Sequence, residues 1–369
     1  MSKYLRLDPA KFDKPRRILE DGVKAHAFPG AVLAVGRKNS SIILPVGRLS
    51  YAKDATQVQS NTIYDLASIT KVVATTTAAM LLVDRGLLEL DRPVGHYLEE
   101  FTRPFDIAID PLWLSRNDVT VRHLLAHTSG LPAYERFFLN ARNKSHMLEE
   151  SFALPLEDLP GRKTVYSDIG FILLGEILEL VAKQPLDVFF QTEIASSLAM
   201  ADTQFNPPTA LLGRIAPTEQ DETFRKRLIR GEVHDENAWV MEGVAGHSGL
   251  FGTAEDLSLF CRMMLNEGRI NDKQFLQLST IREFTKYYPA EQGAPRGLGW
   301  DKPSEPSASG RYFSASSYGH LGYTGTSLWI DPEKDLFIIL LTNRVHPSRE
   351  NEMIKTIRPS VHDAVVEAM

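Results

Sequence analysis

A serine and a lysine lie three residues apart in the stretch Tyr64 to Leu90, which has the pattern of a helix start. Ser68 follows a turn-like segment and precedes a long apolar run, so we predict a helix from Ser68 to about Asp84, ending at Gly86. Residues three apart on a helix share a face, which places the Lys71 amine beside the Ser68 hydroxyl. Burial and the helix dipole both disfavour an ammonium ion there, so we expect a neutral, basic lysine that activates a serine nucleophile.

Spacing alone does not define a site, because Ser50 and Lys53 have the same spacing. That pair lies in RLSYAKDATQ, a turn-like stretch that leads into no apolar helix. For Ser68 taken alone, an ordinary helix cap is the competing interpretation. The rest of the chain must therefore supply a proton acceptor, an oxyanion site and a substrate-facing wall.

Two further stretches offer those parts. Tyr166, Ser167 and Asp168 come just before an apolar helix predicted over 171–183, and a phenol and a carboxylate two residues apart can face one cleft. The stretch 320–325 (HLGYTG) lies at the edge of a late strand, where glycines let the backbone approach a ligand and expose its N–H groups.

The composition is that of a soluble globular protein, with 369 residues of which 43% are hydrophobic and 24% charged. A net charge of −6 argues against a nucleic-acid-binding protein, and the basic run at 224–230 is more consistent with a solvated helix face. Cys261 is the only cysteine, which excludes an intramolecular disulfide and a cysteine-based metal cluster. We find no signal-peptide core and no segment approaching a membrane span, and therefore expect a cytoplasmic protein.

Strand patterns at both ends of the chain enclose a helical middle. After a helix at about 9–26, the segments 30–36 and 41–47 predict a hairpin, and 62–65 a third short strand. The later predicted elements are helices at 121–131, 171–183 and 254–267, strands at 311–318, 326–330 and 336–342, and a final helix at about 349–367.

This order is expected when one domain is inserted into another. We predict an α+β fold in which 1–70 and 290–369 form a discontinuous domain, with an antiparallel sheet flanked by helices. Residues 71–289 would form a mostly helical domain. Ser68 would then lie at the seam between the two, where small-molecule sites are usually found.

In its order of a Ser-x-x-Lys helix, a Tyr-x-Asn-like triplet and a Lys/His-x-Gly strand, the chain resembles the class C β-lactamase-like serine hydrolases. That family includes penicillin-binding carboxypeptidases and family VIII carboxylesterases. The stretches LLAHTSGLP (124–132), GVAGHSGLFGTAEDL (243–257) and TGTSLWIDPE (324–333) strengthen the resemblance, which runs from Gly30 to about Asn343. It implies a β-lactamase/transpeptidase-like fold, with the active site at the seam.

The resemblance also implies a role for each matching residue. Ser68 would be the acyl-forming nucleophile, Lys71 its hydrogen-bonded activator, and Tyr166 the general base and later the acid for the leaving group. The backbone N–H groups of Ser68 and Tyr323 would form the oxyanion hole. A small ester or amide substrate is expected, without a metal or a cofactor.

Two positions depart from the lactamase pattern. Asp168 stands where lactamases carry an asparagine that donates a hydrogen bond to the substrate, whereas an ionised aspartate only accepts. His320 stands where they carry a lysine, and Leu321 replaces a hydroxyl residue, so a fixed cation becomes an imidazole with an ordinary pKa of about 6.5. We expect Asp168, His320 and Gly322 to line the substrate site.

Other polar residues have two interpretations. His127 in AHTSG we expect to be structural. His247 in GHSG imitates a nucleophile elbow, but that motif needs glycine at the position of Leu250 and a preceding strand, so we reject it. Three residues of GEVHDENA could face the cleft or only stabilise their loop: His234, Asp235 and Asn237.

We predict a carboxylesterase-type serine hydrolase with weak or no β-lactamase activity. The rival among enzymes is a D,D-peptidase or β-lactamase, which would be expected outside the membrane. A third alternative is a catalytically inactive binding or sensor domain, against which all three catalytic side chains argue.

Overall fold

The computed structural model describes residues 7–103 and 112–369. Within these ranges the strands are β1 (Gly30–Arg37), β2 (Ser40–Gly47), β3 (Tyr64–Asp65), β4 (Gln204–Phe205), β5 (Gln220–Asp221), β6 (Arg227–Leu228), β7 (Leu250–Gly252), β8 (Arg269–Ile270), β9 (Lys273–Gln274), β10 (Tyr318–Leu321), β11 (Ser327–Asp331) and β12 (Leu336–Thr342). The α-helices are α1 (Asp13–Lys24), α2 (Thr77–Asp84), α3 (Val121–Leu125), α4 (Lys144–Ala153), α5 (Asp168–Ala182), α6 (Leu186–Phe189), α7 (Ser196–Leu198), α8 (Glu236–Val240), α9 (Ala254–Leu265), α10 (Leu278–Thr285) and α11 (Ile354–Ala368).

Strands from both ends of the chain build one five-stranded antiparallel sheet, in the spatial order β10-β11-β12-β1-β2. β1 pairs with β12 with Leu33 opposite Leu340, so the two ends of the chain meet at the centre of the sheet. Because side chains alternate along a strand, Leu33 packs with the cluster around α1 and α11, whereas Val32 joins the larger core on the other face. The predicted antiparallel sheet flanked by helices is confirmed.

Several element boundaries differ from the prediction. The strand predicted at 311–318 is wrong, because only its last residue, Tyr318, belongs to a strand. Ser314 instead lies in a turn, where its N–H and its Oγ both donate to the Asp331 carboxylate at 2.8 Å. The helix predicted at 121–131 ends at Leu125, since His127 adopts a left-handed backbone with φ of +57°. The hairpin and β12 lie where they were predicted.

Helix α9 comes from the middle of the chain but packs against the sheet strands β1 and β12. Arg262 near its end donates through Nε to the backbone oxygen of Lys38, at the turn between β1 and β2, at 3.0 Å. The segment predicted as the inserted helical domain therefore also supplies the cover for one face of the sheet.

The long helix Ala67–Asp84 carries the predicted nucleophile through the core. With 18 residues and a mean hydropathy of 1.3, this helix is long and apolar enough to cross a membrane, although no segment of that kind was predicted from the sequence. However, 83% of these residues are buried inside the protein, which is typical of a core helix of a folded domain.

Candidate active site

Ser68 lies in the first turn of the long helix, where a 3-10 turn (Ala67–Ile69) leads into a π-helical segment (Lys71–Thr76). The residue that precedes this turn is Leu66, so Ser68 is not the helix cap. Ala67 has a left-handed backbone with φ of +47°, a conformation that is costly for alanine. Asp65 holds it there, because its Oδ1 accepts from the Ala67 N–H at 2.8 Å.

Lys71 contacts Ser68 as the spacing predicts. Its Nζ donates to Ser68 Oγ at 3.0 Å and to the backbone oxygen of His247 at 2.9 Å. The same Nζ lies 2.6 Å from Asp168 Oδ1, and the lysine side chain is fully buried. This ion pair was not predicted from the sequence.

The prediction of a neutral Lys71 is wrong. Burial acts to lower the pKa of Lys71, but the charge of Asp168 and the neighbouring Tyr166 outweigh it and raise the pKa above its ordinary value. The resting lysine is therefore an ammonium ion. Burial and the helix dipole, which both lower the pKa of a lysine, can be inferred from the sequence around Lys71. The Asp168 carboxylate, which raises it, comes from a remote segment of the chain.

Tyr166 is surrounded by positively charged groups and imidazole rings. Its ring centroid lies 4.9 Å from Lys71 Nζ and 5.0 Å from the Arg296 guanidinium carbon. Burial raises the pKa of Tyr166 to about 12, although Lys71 acts to lower it. Tyr166 and Lys71 thus form a coupled pair that must lose one proton before it can accept the proton of Ser68.

His127 anchors the chain on both sides of Tyr166. Its backbone oxygen accepts from Val165 N–H at 2.8 Å, and its Nδ1 accepts from Ser167 N–H at 2.9 Å. Burial lowers the pKa of His127 well below its usual range, so the imidazole stays neutral and Nδ1 remains an acceptor. His127 therefore has the expected structural role, which is to fix the phenol.

The two segments that carry the predicted oxyanion donors are hydrogen-bonded to each other. Thr324 Oγ1 donates to the backbone oxygen of Asp65 at 2.8 Å, and Thr326 Oγ1 donates to that of Leu66 at 3.2 Å. The turn after β10, which contains Tyr323, is thereby fastened to the start of the nucleophile helix. Such bonds preorganise backbone N–H groups around a developing negative charge.

Gly322 is required by the closeness of those segments. A Cβ atom there would lie 2.0 Å from Thr326 Oγ1 and 2.6 Å from the backbone oxygen of Leu66. Any side chain at this position would therefore push the turn away from the helix. Gly322 also lines the cleft, as predicted from the sequence.

His320 lines the cleft but does not titrate near neutral pH. It is 2% exposed, and burial lowers the pKa of His320 to about 4, so the prediction of a titratable imidazole is wrong. Its Nδ1 donates to the backbone oxygen of Leu321 at 2.7 Å, which leaves Nε2 as an acceptor in the neutral ring. The sequence showed which residue replaced the lysine but not how deeply it is buried.

Arg296 is a permanent cation in the cleft wall that was not predicted from the sequence, and it is already paired. It lines the cleft with His320, and its Nη1 lies 2.6 Å from Asp301 Oδ1. This pairing largely offsets the positive charge. The surrounding stretch RGLGW (296–300) contains no motif that could have marked Arg296 in advance.

The loop residues of GEVHDENA divide between the two interpretations. Asn237 is structural, because its side chain accepts from Phe138 N–H at 3.0 Å and donates to the backbone oxygen of Glu135 at 2.8 Å. His234 lines the cleft but is held by Glu219 through a 2.9 Å contact between Nε2 and Oε2.

Asp235 lines the cleft and is connected to the catalytic lysine. Its Oδ1 lies 2.9 Å from His247 Nε2, and the His247 backbone oxygen is the one that Lys71 contacts. The GHSG stretch is therefore not a nucleophile elbow but a support for Lys71. This role of His247 was not predicted from the sequence.

A cleft of about 1170 Å³ opens over Ser68 and is large for a small-molecule site. Its wall contains the predicted nucleophile and base together with Asp168 and the turn after β10. Such a volume accommodates a substrate considerably larger than a simple short ester. No group of metal-ligating side chains was found among residues 7–103 and 112–369.

Known proteins resemble this chain along most of its length. Residues 15–361 match the family model described as Beta-lactamase. The chain is 32% identical to "N-acetylmuramyl-L-alanine amidase" of Bacillus subtilis (strain 168), over 91% of this chain and 81% of that protein. It is 34% identical to "Putative D-alanyl-D-alanine carboxypeptidase" of Salmonella typhimurium, over 80% of this chain and 72% of that protein.

Solved structures show the same fold at lower identity. "EstCE1, a hydrolase with promiscuous acyltransferase activity" superposes with a TM-score of 0.76 at 20% identity, covering 96% of this chain and 99% of that one. A penicillin-binding protein homolog from Caulobacter crescentus gives a TM-score of 0.76 at 17% identity, covering 98% and 99%. The fold predicted from the resemblance is confirmed.

Proposed function

Because this chain belongs to the β-lactamase family of serine hydrolases, we propose that it is a carboxylesterase-type enzyme that turns over short-chain esters better than β-lactams. The Lys71–Asp168 ion pair carries this proposal. It places an acceptor, already engaged by Lys71, where a β-lactam side chain would need an amide donor. His320 is neutral and Arg296 is paired, so attraction for a lactam carboxylate is weak as well.

The residues around Ser68 suggest a sequence of proton transfers. After the Lys71–Tyr166 pair has lost a proton to solvent, it accepts the proton of Ser68 as Oγ attacks the acyl carbonyl. The N–H groups of Ser68 and Tyr323 stabilise the resulting oxyanion. The pair then returns the proton to the departing alkoxide, and a water activated in the same way releases the acid.

General magnitudes indicate what each part supplies. A positioned base typically contributes roughly 10²–10⁴ in rate. One oxyanion donor contributes roughly 10²–10³. A simple ester needs only these contributions, and its alcohol diffuses away after acylation, whereas the leaving group of a β-lactam stays tethered and obstructs the incoming water.

The test is a comparison of kcat/KM for p-nitrophenyl acetate and butyrate with that for nitrocefin. We expect ester values to exceed the nitrocefin value by at least roughly tenfold, since one unpaired polar contact costs about 1–3 kcal/mol. Ser68→Ala should lose all hydrolysis, with Ser50→Ala as the matched control. Nitrocefin turnover equal to or above ester turnover would overturn the proposal in favour of a β-lactamase.

An amide hydrolase is the second candidate, favoured by the names of the two relatives that are 32% and 34% identical to this chain. The roomy cleft also accommodates a peptide-linked substrate. Release of alanine from an N-acylmuramyl-L-alanine or a D-Ala-D-Ala peptide, followed by mass spectrometry, tests it. Amide turnover that matched or exceeded the best ester turnover would replace the esterase assignment.

A further inference from the structure

Asp235 is a carboxylate of the cleft wall that pairs with no lysine or arginine in the described part of the chain. Its Oδ1 accepts from the Ala238 N–H at 2.8 Å and lies 2.9 Å from His247 Nε2. Burial acts to raise the pKa of Asp235, but His247 and the Ala238 N–H outweigh it and hold the pKa below its usual range. Both contacts use Oδ1, and the side chain is 22% exposed, so Oδ2 remains an unused acceptor of the cleft.

The neighbouring carboxylates of the wall differ from Asp235, because each of them contacts a cation of the chain. Asp168 lies 2.6 Å from Lys71, and Glu236 lies 2.7 Å from Arg349. Charges that are paired in this way attract a further cation only weakly. Asp235 therefore carries the negative charge of this part of the wall that a bound cation would neutralise.

Ser248 adds a second unused polar atom to the same wall. It directly follows His247 and lines the cleft, yet it is only 3% exposed. Its Oγ makes no hydrogen bond to any residue in 7–103 or 112–369. Leaving a buried hydroxyl unpaired is costly, and a ligand that supplies a hydrogen-bond partner removes that cost.

The loop that carries Tyr134 brings an aromatic ring to these acceptors. The backbone oxygen of Ala133 accepts from the Asp168 N–H at 2.9 Å, and that of Glu135 accepts from Asn237 Nδ2 at 2.8 Å. These two bonds fix Tyr134 from both sides. The ring lines the cleft and is 41% exposed, so its face is available to a ligand.

Tyr134 and Asp235 are close enough to interact. Burial and the charge of Asp235 both raise the pKa of Tyr134, so the phenol stays neutral. An aromatic face attracts a cation, and a carboxylate binds an ammonium group through a charge-assisted hydrogen bond. A primary ammonium has three N–H donors, enough for both Asp235 Oδ2 and Ser248 Oγ.

We propose that Asp235, Ser248 and Tyr134 form a corner of the cleft that binds a primary ammonium group, so that the preferred substrate carries a free amine near the carbonyl that Ser68 attacks. This inference rests on the proposed function, because it names the substrate class of the same site. The amine can belong to the acyl group or to the leaving group, and two sets of substrates distinguish these sources.

The first experiment compares substrates that differ only in one terminal group. The acyl set consists of the p-nitrophenyl esters of β-alanine, 3-hydroxypropanoate and butyrate, which end in ammonium, hydroxyl and methyl. The leaving-group set consists of 4-(aminomethyl)phenyl, 4-(hydroxymethyl)phenyl and 4-ethylphenyl acetate. Each kcat/KM is divided by the rate constant for hydrolysis by hydroxide, because an ammonium group itself activates an ester.

In one of the two sets, the ammonium member should exceed the methyl member by at least roughly tenfold, with the hydroxyl member between them. Asp235→Asn should reduce this preference at least roughly fivefold, because the amide keeps the shape but not the charge. Ser248→Ala should reduce it roughly threefold. The matched control is Asp54→Asn, at an exposed position outside the cleft, which should not change the preference.

The preference between two substrates is the readout for these variants. Asp235 also contacts His247, whose backbone oxygen holds Lys71, so Asp235→Asn could slow every substrate. A general loss of that kind cancels in the ratio of ammonium to methyl substrate. If Asp235→Asn does not fold, Ser248→Ala provides the same test with a smaller expected change.

The second experiment measures binding without turnover in the Ser68→Ala background. β-Alaninamide, which is a cation, should raise the melting temperature of this protein saturably. Butanamide has the same shape without the charge and should not. Adding Asp235→Asn should remove the effect of β-alaninamide, whereas adding Asp54→Asn should preserve it.

The outcomes separate the two proposals. If esters are hydrolysed at Ser68 but neither set favours its ammonium member, or the hydroxyl member is favoured equally, the ammonium site is wrong and the esterase assignment stands. A preference that survives both Asp235→Asn and Ser248→Ala would overturn it as well. If no ester is hydrolysed, the proposed function fails and the melting temperatures alone decide: stabilisation that is absent, or that Asp235→Asn leaves unchanged, contradicts the site.

Discussion

The reaction centre and the part of the cleft wall that contains Arg344 balance their charges differently. At the reaction centre Lys71 pairs with Asp168 and Arg296 with Asp301, each at 2.6 Å. Arg344 donates to the backbone oxygens of Tyr323, Arg349 and Asn351, and its guanidinium carbon lies 4.5 Å from the Tyr323 ring centroid. It forms no ion pair with any residue that the structure describes. The difference shows that the cations beside Ser68 and Tyr166 are neutralised by carboxylates of the chain, whereas Arg344 is held by neutral backbone oxygens.

The largest expected effect comes from breaking the reaction centre. Ser68→Ala should abolish ester hydrolysis, and Lys71→Ala and Tyr166→Phe should each lower kcat by at least roughly 10², because the three side chains act as one proton-transfer unit. Steady-state kinetics with p-nitrophenyl butyrate measure this. Loss of activity in Ser50→Ala with activity retained in Ser68→Ala would show that the wrong serine had been chosen.

Asp65→Ala should have the next largest effect, although Asp65 does not reach the substrate. Its carboxylate accepts from the N–H groups of Ala67 and His234 at 2.8 and 2.6 Å, and losing it leaves two buried donors unpaired. We expect a loss of about 1–3 kcal/mol in the free energy of unfolding for each unpaired donor. We also expect kcat to fall roughly tenfold, as Ser68 loses its fixed position.

Adding Ala67→Gly separates strain from hydrogen bonding. Glycine adopts φ of +47° readily, so the double variant should unfold at a higher denaturant concentration than Asp65→Ala alone. Chemical denaturation of the two variants and the native protein provides the comparison. Equal midpoints for the single and double variants would mean that Asp65 does not restrain Ala67.

Asp168→Asn should move the pH dependence of the reaction centre. Without the carboxylate that raises the pKa of Lys71, the Lys71–Tyr166 pair loses its proton at lower pH. Because kcat/KM rises as that proton leaves, its half-maximal point should shift downward by about one pH unit or more. A profile from pH 6 to 11 follows the rising limb of kcat/KM in both proteins, and a limb that stayed in place or moved upward in Asp168→Asn would rule out this role for Asp168.

His320→Gln should have the smallest effect on activity near neutral pH. With a pKa of about 4, His320 is already neutral there, so kcat/KM between pH 6 and 8 should change less than roughly fivefold and keep its shape. The unfolded chain binds a proton at this histidine below about pH 6.5, whereas the folded one does not until about pH 4, so native stability falls over that window. His320→Gln should therefore lose less stability on acidification, and an unchanged acid midpoint would contradict the buried, neutral ring.

The sequence predicted the parts of the fold and site that depend on local pattern. Ser68 and Lys71 share a helical turn, and β12 is a continuous apolar run, so both were located before the structure was known. The charge of Lys71 was not predictable, because it depends on Asp168 from another helix. Arg296 was also not predicted, because only the folded chain brings it next to Tyr166 and no motif surrounds it in the sequence.

Labelling with a fluorophosphonate probe, followed by peptide mass spectrometry, tests the central claim most directly. We expect one phosphonyl group on the peptide that contains Ser68, no label in Ser68→Ala, and a labelling rate that rises with pH as the Lys71–Tyr166 pair loses its proton. Absence of labelling over that pH range, or equal labelling of Ser68→Ala at another serine, would contradict an activated nucleophile at Ser68.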